Sequence, residues 1–589
     1  MTIRNRPGWL RRVVALGVAL LLIAPGLPHA AGQDDPPTDE PEVDGLPFSL
    51  PLKDPPGPST WLYEQHFGNT TSAFNYGNVW YPAGQGMHFG IDLETRCGTP
   101  VYAIADGVVD YVDAEGFATG PHTLALSHPG TGYTSFYGHL SEQPPFVRGD
   151  RVERGQQIGV TGDPDLSCSS RPHLHLEIRN SDYTMAYNPV TLIEANWHML
   201  SSIGPVDSDF EQNLDAPRQW MRLDDQPEIR LGGDWLNRYQ NAWPPKREYR
   251  APQETPAPRH LDPLPPDVTV TRQLVSDAEW NLGARWRAND LDALYLIDVA
   301  PEGEEAASGV YRQPLDGSGR TWVEPSPPTT VSPDGTVTVR NLGFGNMEVI
   351  RHTDGSRWEV WLGSYPAISP DGSRLLWEVY NGELLPGQSQ PPGVEFWVSN
   401  LDGNLRRQVQ RLAGGSSMWL DNHRLLLVKR IVWTADTQIF VLDIDSADFT
   451  PVLLGTFPYA REIQVAPGGG HIVFQMPFQE DPNASGIYIL QTQPGAVPQK
   501  LPFFGAYRWR DDQSLYTLSF DGSTDVHTLG VYDITTGEHR TLTDPDELPL
   551  RVANGDWQVS PDGTRISYVD PTDYALYLLT IEAAPPPQG

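Results

Sequence analysis

The sequence has only two cysteines in 589 residues and no Cys-x-x-Cys pair. Structural zinc sites with four ligands rely on several thiolates, so a site of that kind is disfavoured. The motif His-Glu-x-x-His is absent as well, which excludes the metalloproteases that use this glutamate as their base. After residue 31 no apolar run is long enough to cross a bilayer, and we expect no membrane span beyond a leader segment.

Positive charge is also scarce. The chain has 41 Lys and Arg residues against 75 Asp and Glu residues, and its formal net charge is −34. Neutralising phosphate groups needs a basic surface, so we expect neither a nucleic-acid partner nor an anionic lipid partner. A chain of this length is too long for a single hydrophobic core, and two or more domains are expected.

The N-terminus has the features of a targeting segment. A basic stretch with four arginines within residues 1–12 precedes an apolar stretch at 13–24 and a cleavage zone at 28–31. Residues 1–31 are therefore predicted to be a signal peptide, and the protein to be exported, either extracellular or in the cell envelope. An uncleaved anchor is the open alternative. Residues 32–57 are expected to be an extended, acidic, proline-rich spacer.

Five residues fit a catalytic zinc site with an open coordination position and two additional imidazoles: His88, Asp92, His139, His173 and His175. His173 and His175 alternate with apolar residues, so a strand would project both imidazoles from one face. Gly90 lies between His88 and Asp92, and a bend there would let an extended segment bring both to one metal.

The surroundings of these residues resemble the lysostaphin/LytM-type zinc metalloendopeptidases, a family of peptidoglycan hydrolases. The resemblance runs from about residue 61 to 189. It includes the segments His-Phe-Gly-Ile-Asp at 88–92, Gly-Thr-Pro-Val-Tyr-Ala at 98–103, Asp-Gly-Val-Val at 106–109, Tyr-Gly-His-Leu at 137–140 and Pro-His-Leu-His-Leu-Glu-Ile at 172–178.

The resemblance implies that His88, Asp92 and His175 hold one Zn²⁺ ion and that His139 and His173 are the catalytic histidines. It also implies an antiparallel β fold over residues 58–196 and hydrolysis of peptide cross-links in bacterial cell walls, often at glycine-containing bonds. An imidazole near neutral pH can accept a proton from water and return one to a leaving amine, which suits His139 and His173. Which of them has which part is left open.

Other polar residues of this region are expected to have structural or supporting roles. We expect His122 and His128 to be structural or solvated. Glu177 continues the strand face of His175 and is a candidate for supporting that ligand from behind. Cys97 lies five residues after Asp92 and Cys168 lies five residues before His173, and in an exported protein we expect the two cysteines to form a disulfide.

The remaining chain changes character twice. Residues 197–267 are rich in proline and are expected to be a linker with some local structure. A repeat follows, marked by Ser-Pro-Asp-Gly and related turns that start at 286, 331, 368, 419, 465, 509 and 559. Its spacing matches a four-stranded propeller blade, and Pro-Asp-Gly supplies the turn between strands.

These repeats resemble the TolB-type, WD-repeat-like β-propellers over residues 268–584, with residues 585–589 as a tail. We therefore predict a mainly β protein, with an antiparallel metallopeptidase domain and a C-terminal propeller of about seven blades. The propeller would bind or dock an unknown ligand, such as a protein.

Two functions remain open. In the first, the protein is an exported zinc endopeptidase that acts on peptidoglycan peptides and is docked by its propeller. In the second, it is a catalytically idle envelope scaffold that acts through the propeller. The presence of all five residues favours the first.

Overall fold

The computed structural model describes residues 45–584, apart from gaps at 71–72, 74–79, 114–121, 165–167, 169–170, 204–221, 234–260, 279–280, 282–283, 299–306, 326–329, 344–345, 361–362, 381–392, 432–435 and 553–554. The predicted signal peptide, residues 32–44 of the predicted spacer and the predicted tail at 585–589 lie outside the described residues. Within the described residues, no helix is both long and apolar enough to cross a membrane.

The first half of the chain is built from short antiparallel strands. Its elements are β1 (Trp61–Gln65), β2 (Ile91–Thr95), β3 (Pro100–Tyr102), β4 (Gly107–Val112), β5 (Leu124–Ser127), β6 (Tyr133–Gly138), β7 (Arg151–Val152), β8 (Gln157–Val160), β9 (His173–Asn180), β10 (Met185–Tyr187), α1 (Trp197–Ser201) and β11 (Ile229–Arg230). A 3₁₀ turn at Pro189–Thr191 precedes α1.

The main sheet has the order β1-β2-β9-β6-β5-β4-β7; β10 joins it by pairing with β9, and β11 pairs with β10. Strands β3 and β8 form a separate pair. Leu174, Leu176 and Ile178 alternate with the histidines along β9 and are fully buried, so the apolar half of this strand is fixed in the core. This places the polar half of β9 on the opposite face, between β2 and β6.

The flanks of this sheet are more structured than a spacer and a linker require. Phe48 is buried and forms a parallel bridge with Ile193. Strand β11, which falls within residues 197–267, pairs with β10. Residues on both sides of the sheet domain are thus part of its packing.

The second half forms seven four-stranded antiparallel sheets. After β12 (Val268–Ser276), the first three sheets contain β13 (Arg285–Arg287), β14 (Asp290–Asp298), β15 (Gly309–Pro314), β16 (Thr321–Glu324), β17 (Thr330–Val331), β18 (Val337–Gly343), β19 (Asn346–Arg351), β20 (Arg357–Val360), β21 (Ser364–Ile368), β22 (Arg374–Tyr380), β23 (Gly393–Asn400) and β24 (Arg407–Ala413).

The next three sheets contain β25 (Ser416–Trp419), β26 (Arg424–Ile431), β27 (Asp436–Asp443), β28 (Val452–Pro458), β29 (Arg461–Val465), β30 (His471–Met476), β31 (Gly486–Gln491), β32 (Gln499–Lys500), β33 (Gly505–Trp509), β34 (Ser514–Ser519), β35 (Leu529–Asp533) and β36 (His539–Thr541). A 3₁₀ turn at Pro482–Ala484 precedes β31. The last sheet contains β37 (Trp557–Val559), β38 (Arg565–Val569) and β39 (Leu576–Ala583), and β12 is its outermost strand.

Pairing of β12 with β39 joins the first strand of this half to the last strand, so the ring of sheets is closed within one chain. The repeated turns act as predicted. In three of them the serine hydroxyl donates to the aspartate two residues later, at Ser332, Ser369 and Ser560. The structure is a seven-bladed β-propeller, which confirms the predicted fold class and blade number.

The two halves share one hydrophobic cluster. Trp61 and Ile193 of the sheet domain belong to the same buried group as Trp286 and Leu576 of the propeller. The chain from residue 45 onward is correspondingly one compact unit.

Candidate metal centre

The register between β2 and β9 sets the geometry of the candidate metal centre. Asp92 lies directly opposite His175, and Glu94 lies directly opposite His173. Side chains that face each other across an antiparallel pair emerge on the same face of the sheet. The alternation predicted for His173 and His175 therefore gathers four polar side chains on one face.

His88 reaches this face from outside the strand. It forms a β-bridge with Gly68, and the chain bends at Gly90 before β2 begins. Nε2 of His88 lies 3.2 Å from Nδ1 of His175 and 3.3 Å from Oδ1 of Asp92. The ligand atoms of His88, Asp92 and His175 all lie within 4.8 Å of one another.

The absence of a side chain at Gly90 has a steric role that the sequence did not reveal. A Cβ atom at this position would lie 2.7 Å from Cε1 of His175 and 2.7 Å from the carbonyl oxygen of Leu176. Gly90 is therefore required because the ring of His175 packs directly against its backbone, in addition to its place at the bend.

A polar contact behind each imidazole determines which ring nitrogen faces the cluster. Nδ1 of His88 is 2.6 Å from the carbonyl oxygen of His66, so it donates there and Nε2 keeps its lone pair. Nε2 of His175 is 3.3 Å from a carboxylate oxygen of Glu177, which leaves Nδ1 for a metal. Such partners fix both the tautomer and the orientation of a metal-binding ring.

Glu177 is itself held in place. It is fully buried, and Nε of Arg179 donates to it at 2.5 Å. Burial raises the pKa of this carboxyl group, but Arg179 and His175 outweigh burial and lower it. An ionised carboxylate therefore stands behind His175, as the sequence suggested.

The protonation of the cluster reflects its crowding. Burial raises the pKa of Asp92, but His88, His173 and His175 outweigh burial and hold it well below the usual value. Burial lowers the pKa of His175, but the hydrogen bonds to Asp92 and Glu177 raise it to about 9. The carboxylate is thus ionised and ready to bind a cation.

His139 and His173 lie beside the cluster as a pair. Their ring centroids are 4.7 Å apart, with the planes at 67°. Nδ1 of His173 donates to the carbonyl oxygen of Arg171 at 2.7 Å, so its unprotonated Nε2 faces Asp92, with Oδ2 at 3.6 Å. His139 follows the end of β6 with a φ of 57°, a left-handed conformation that turns it out of the strand.

Both of these imidazoles are neutral at pH 7. Burial lowers the pKa of His173 to about 4, against the opposing effect of Asp92. Burial also lowers the pKa of His139, and His173 and His175 add to the effect. Two neutral imidazoles can accept a proton from a water molecule that lies between them and the cluster.

Two side chains near the cluster were missed by the sequence reasoning. Oε2 of Glu64 lies 3.8 Å from Nδ1 of His173, and Oε1 lies 3.6 Å from Nε of Arg171. Glu64 is almost fully buried in strand β1, directly after Trp61, Leu62 and Tyr63. A carboxylate among Trp61, Leu62 and Tyr63 was the available signal, because buried acids need partners.

The remaining expectations concern side chains outside the cluster. His122 is 2.6 Å from Asp113, and His128 lies between the carbonyl oxygen of Asp106 and the hydroxyl of Ser135. Cys97 and Cys168 form the predicted disulfide, with their Cα atoms 5.7 Å apart. The disulfide ties the end of β2 to the segment before β9.

Comparison with known proteins agrees with this geometry. Residues 86–189 match Peptidase family M23. Over 141 residues the chain is 30% identical to the glycyl-glycine endopeptidase ALE-1 of Staphylococcus capitis, covering 23% of this chain and 36% of that protein. Over 116 residues it is 34% identical to the peptidoglycan DD-endopeptidase ShyA of Vibrio cholerae, covering 20% of this chain and 24% of that protein.

The chain thus spans about a third or less of these relatives. Among solved structures, the chain is similar to a TolB-type structure from Agrobacterium tumefaciens, with 15% identity, a TM-score of 0.26 and coverage of 44% of this chain and 89% of that one. Residues 86–189 therefore form a peptidase M23 domain of the lysostaphin/LytM kind, joined in one chain to a seven-bladed β-propeller.

Proposed function

We propose that the protein is an exported, zinc-dependent endopeptidase that hydrolyses peptide bonds in the cross-links of bacterial peptidoglycan. The observation that carries this proposal is the convergence of His88, Asp92 and His175, with the neutral pair His139 and His173 beside them. The similarity to peptidases named for glycyl-glycine and peptidoglycan bonds supports the substrate class.

The donor set fits zinc. Two imidazole nitrogens and one carboxylate oxygen, all within 4.8 Å of one another, form a three-ligand set that leaves a coordination position open. His88, Asp92 and His175 would hold the ion. When bound, zinc makes its water more acidic and polarises the substrate carbonyl.

The chain's own residues then handle the proton. Nε2 of His173 is unprotonated and faces the cluster, because Nδ1 donates to the carbonyl of Arg171. Nδ1 of His139 is buried and makes no hydrogen bond to any described residue. We assign both rings to accepting the proton from water, stabilising the transition state and returning a proton to the leaving amine.

Glu64 and Arg171 position His173. The carbonyl oxygen of Arg171 fixes the tautomer of the ring, and Glu64 lies near the same nitrogen. The backbone N–H of Arg171 donates to Asp163 at 3.0 Å, and Asp163 is fully buried. This arrangement anchors the segment that presents the catalytic imidazole.

The experiment incubates the purified full chain with peptidoglycan and with pentaglycine-type peptides, with and without a chelator. Release of new amino termini that stops with the chelator and returns with zinc is expected. His173→Ala should lose about 10²–10⁴ in rate while it keeps zinc. His122→Ala is the matched control, since His122 contacts Asp113 outside the cluster.

The scaffold alternative predicts a different outcome. One equivalent of zinc bound with no hydrolysis of any wall preparation would favour a catalytically idle protein that acts through its propeller. If His173→Ala cleaves as fast as the parent, the assigned part of that residue is wrong.

A further inference from the structure

The propeller reaches the catalytic face of the M23 domain. Arg461, the first residue of β29, forms an ion pair with Glu94. Glu94 lies on β2 directly opposite His173, and residues so paired project from the same face. An arginine of the propeller therefore binds the residue that lies opposite the catalytic histidine, and Arg461 and Glu94 are 367 residues apart in the chain.

Further contacts hold this part of the propeller in place. The guanidinium of Arg96, just beyond β2, donates to the carbonyl oxygens of Gln479 and Glu480, each at 3.3 Å. The backbone N–H of Phe478 donates to the carbonyl oxygen of Pro58 at 2.7 Å. These bonds, together with the shared hydrophobic cluster, fix the propeller edge against the domain.

A cavity of about 520 Å³ opens between the two halves at this point. The M23 domain contributes Thr95, Arg96 and the Cys97–Cys168 disulfide, and the propeller contributes residues 458–459, 478–481 and Ala484. The volume lies within the range of about 300–1,000 Å³ that is usual for ligand sites. Neither half encloses the cavity alone.

The cavity and the catalytic face meet at Arg461. Its guanidinium pairs with Glu94 on the catalytic face and lies 6.0 Å from the centroid of the Phe478 ring, a wall of the cavity. Thr95, another wall residue, directly follows Glu94 in β2, and its N–H donates to the carbonyl oxygen of Pro172, which precedes His173. The Glu94–Arg461 pair therefore forms the boundary between the catalytic face and the cavity.

We propose that this seam cavity, bounded by Thr95, Arg96, Tyr459, Phe478 and Ala484, is a substrate subsite that holds the peptide arm of a cross-linked substrate beyond the scissile bond. The proposal rests on the proposed function. The carboxylates of Glu480 and Asp481, both exposed on the propeller side, favour an arm that carries an amino group over one that ends in a carboxylate. The propeller thus contributes a wall of the substrate groove.

The test fills the cavity from the propeller side in the full chain. Ala484→Trp adds a large ring to the cavity wall, while the backbone groups of residue 484 keep their bonds to Asp481 and Tyr488. Val497→Trp is the matched control, because Val497 is 83% exposed on the same propeller and does not line the cavity. The measured quantity is the ratio of kcat/KM on a cross-linked muropeptide to kcat/KM on pentaglycine.

Ala484→Trp should lower this ratio about tenfold or more through KM, since a blocked subsite removes binding to the long substrate only. Val497→Trp should keep the parent ratio. Glu480→Trp, which starts from an exposed side chain, repeats the test if Ala484→Trp does not fold. A parent-like ratio in a folded, zinc-loaded cavity variant would overturn the proposal. If the parent hydrolyses neither substrate, the proposed function itself fails.

Discussion

Replacing Gly90 with alanine would place a methyl group against the imidazole of His175. The new Cβ atom would lie 2.7 Å from Cε1 and 2.9 Å from Nε2 of the ring, and 2.7 Å from the carbonyl oxygen of Leu176. The shortest of these distances are therefore about 0.7 Å below the 3.4 Å of an ordinary contact. The carbonyl belongs to the central strand β9 and cannot yield easily, so the ring of His175 has to move.

The size of the effect follows from two separate costs. Overpacking of this kind destabilises a protein by about 1–3 kcal/mol. Displacing the ring also disturbs its contact with Glu177 and the orientation of its Nδ1 atom toward the other ligand atoms. Loss of such supporting contacts typically lowers metal affinity about 10–100-fold. We expect Gly90→Ala to lose zinc affinity by roughly this factor.

The assay is competition for zinc against a chromophoric chelator, with the metal-free and zinc-loaded proteins also unfolded in urea. Gly57→Ala is the matched control, because the nearest atom to a Cβ there is Oγ1 of Thr60 at 3.7 Å. Parent-like zinc affinity in Gly90→Ala would refute the steric reasoning, even if stability falls.

Three further results are expected. Glu177→Gln should weaken zinc binding about 10–100-fold, because it removes the negative charge behind His175 and leaves the buried Arg179 without its carboxylate partner. Unchanged zinc affinity in the chelator assay would contradict this prediction. Burial lowers the pKa of His175, but Asp92 and Glu177 raise it to about 9, so zinc has to displace a proton from this ring. The zinc affinity should therefore rise about tenfold per pH unit between about pH 6 and pH 8. A zinc affinity that does not change with pH would contradict this protonation state. Replacing both cysteines of the disulfide with serine should destabilise the fold by at most about 4 kcal/mol, because the bond closes a loop across a separation of 71 residues in the unfolded chain. A urea midpoint equal to that of the parent would show that the bond contributes nothing to stability.

Local patterns account for the parts of the site that were predictable. The alternation along β9 places the histidines on one face, because strand periodicity is a property of the backbone. The recurring Ser-Pro-Asp-Gly turn predicts the blades, since the serine, aspartate and glycine each satisfy a local requirement. The glycine of the second such turn, Gly372, has a φ of 71°, a conformation that few other residues adopt.

Contacts between distant elements were not predictable. The Arg461–Glu94 pair joins residues far apart in the chain, and no periodicity marks either of them. Glu64 gave only the weak signal of one carboxylate directly after three apolar residues. The steric requirement for glycine at position 90 also depends on the position of the His175 ring, which belongs to strand β9. Such features are set by packing, to which a single sequence gives little access.

The most direct test of the proposed function is mass spectrometry of the fragments that the full chain releases from peptidoglycan, with chelator and zinc-restored controls. Our account predicts fragments that are cut within the peptide cross-links, that carry new amino termini and that disappear when the metal is removed. Fragments that are cut only in the glycan strands, or cleavage that persists with the chelator, would contradict the account.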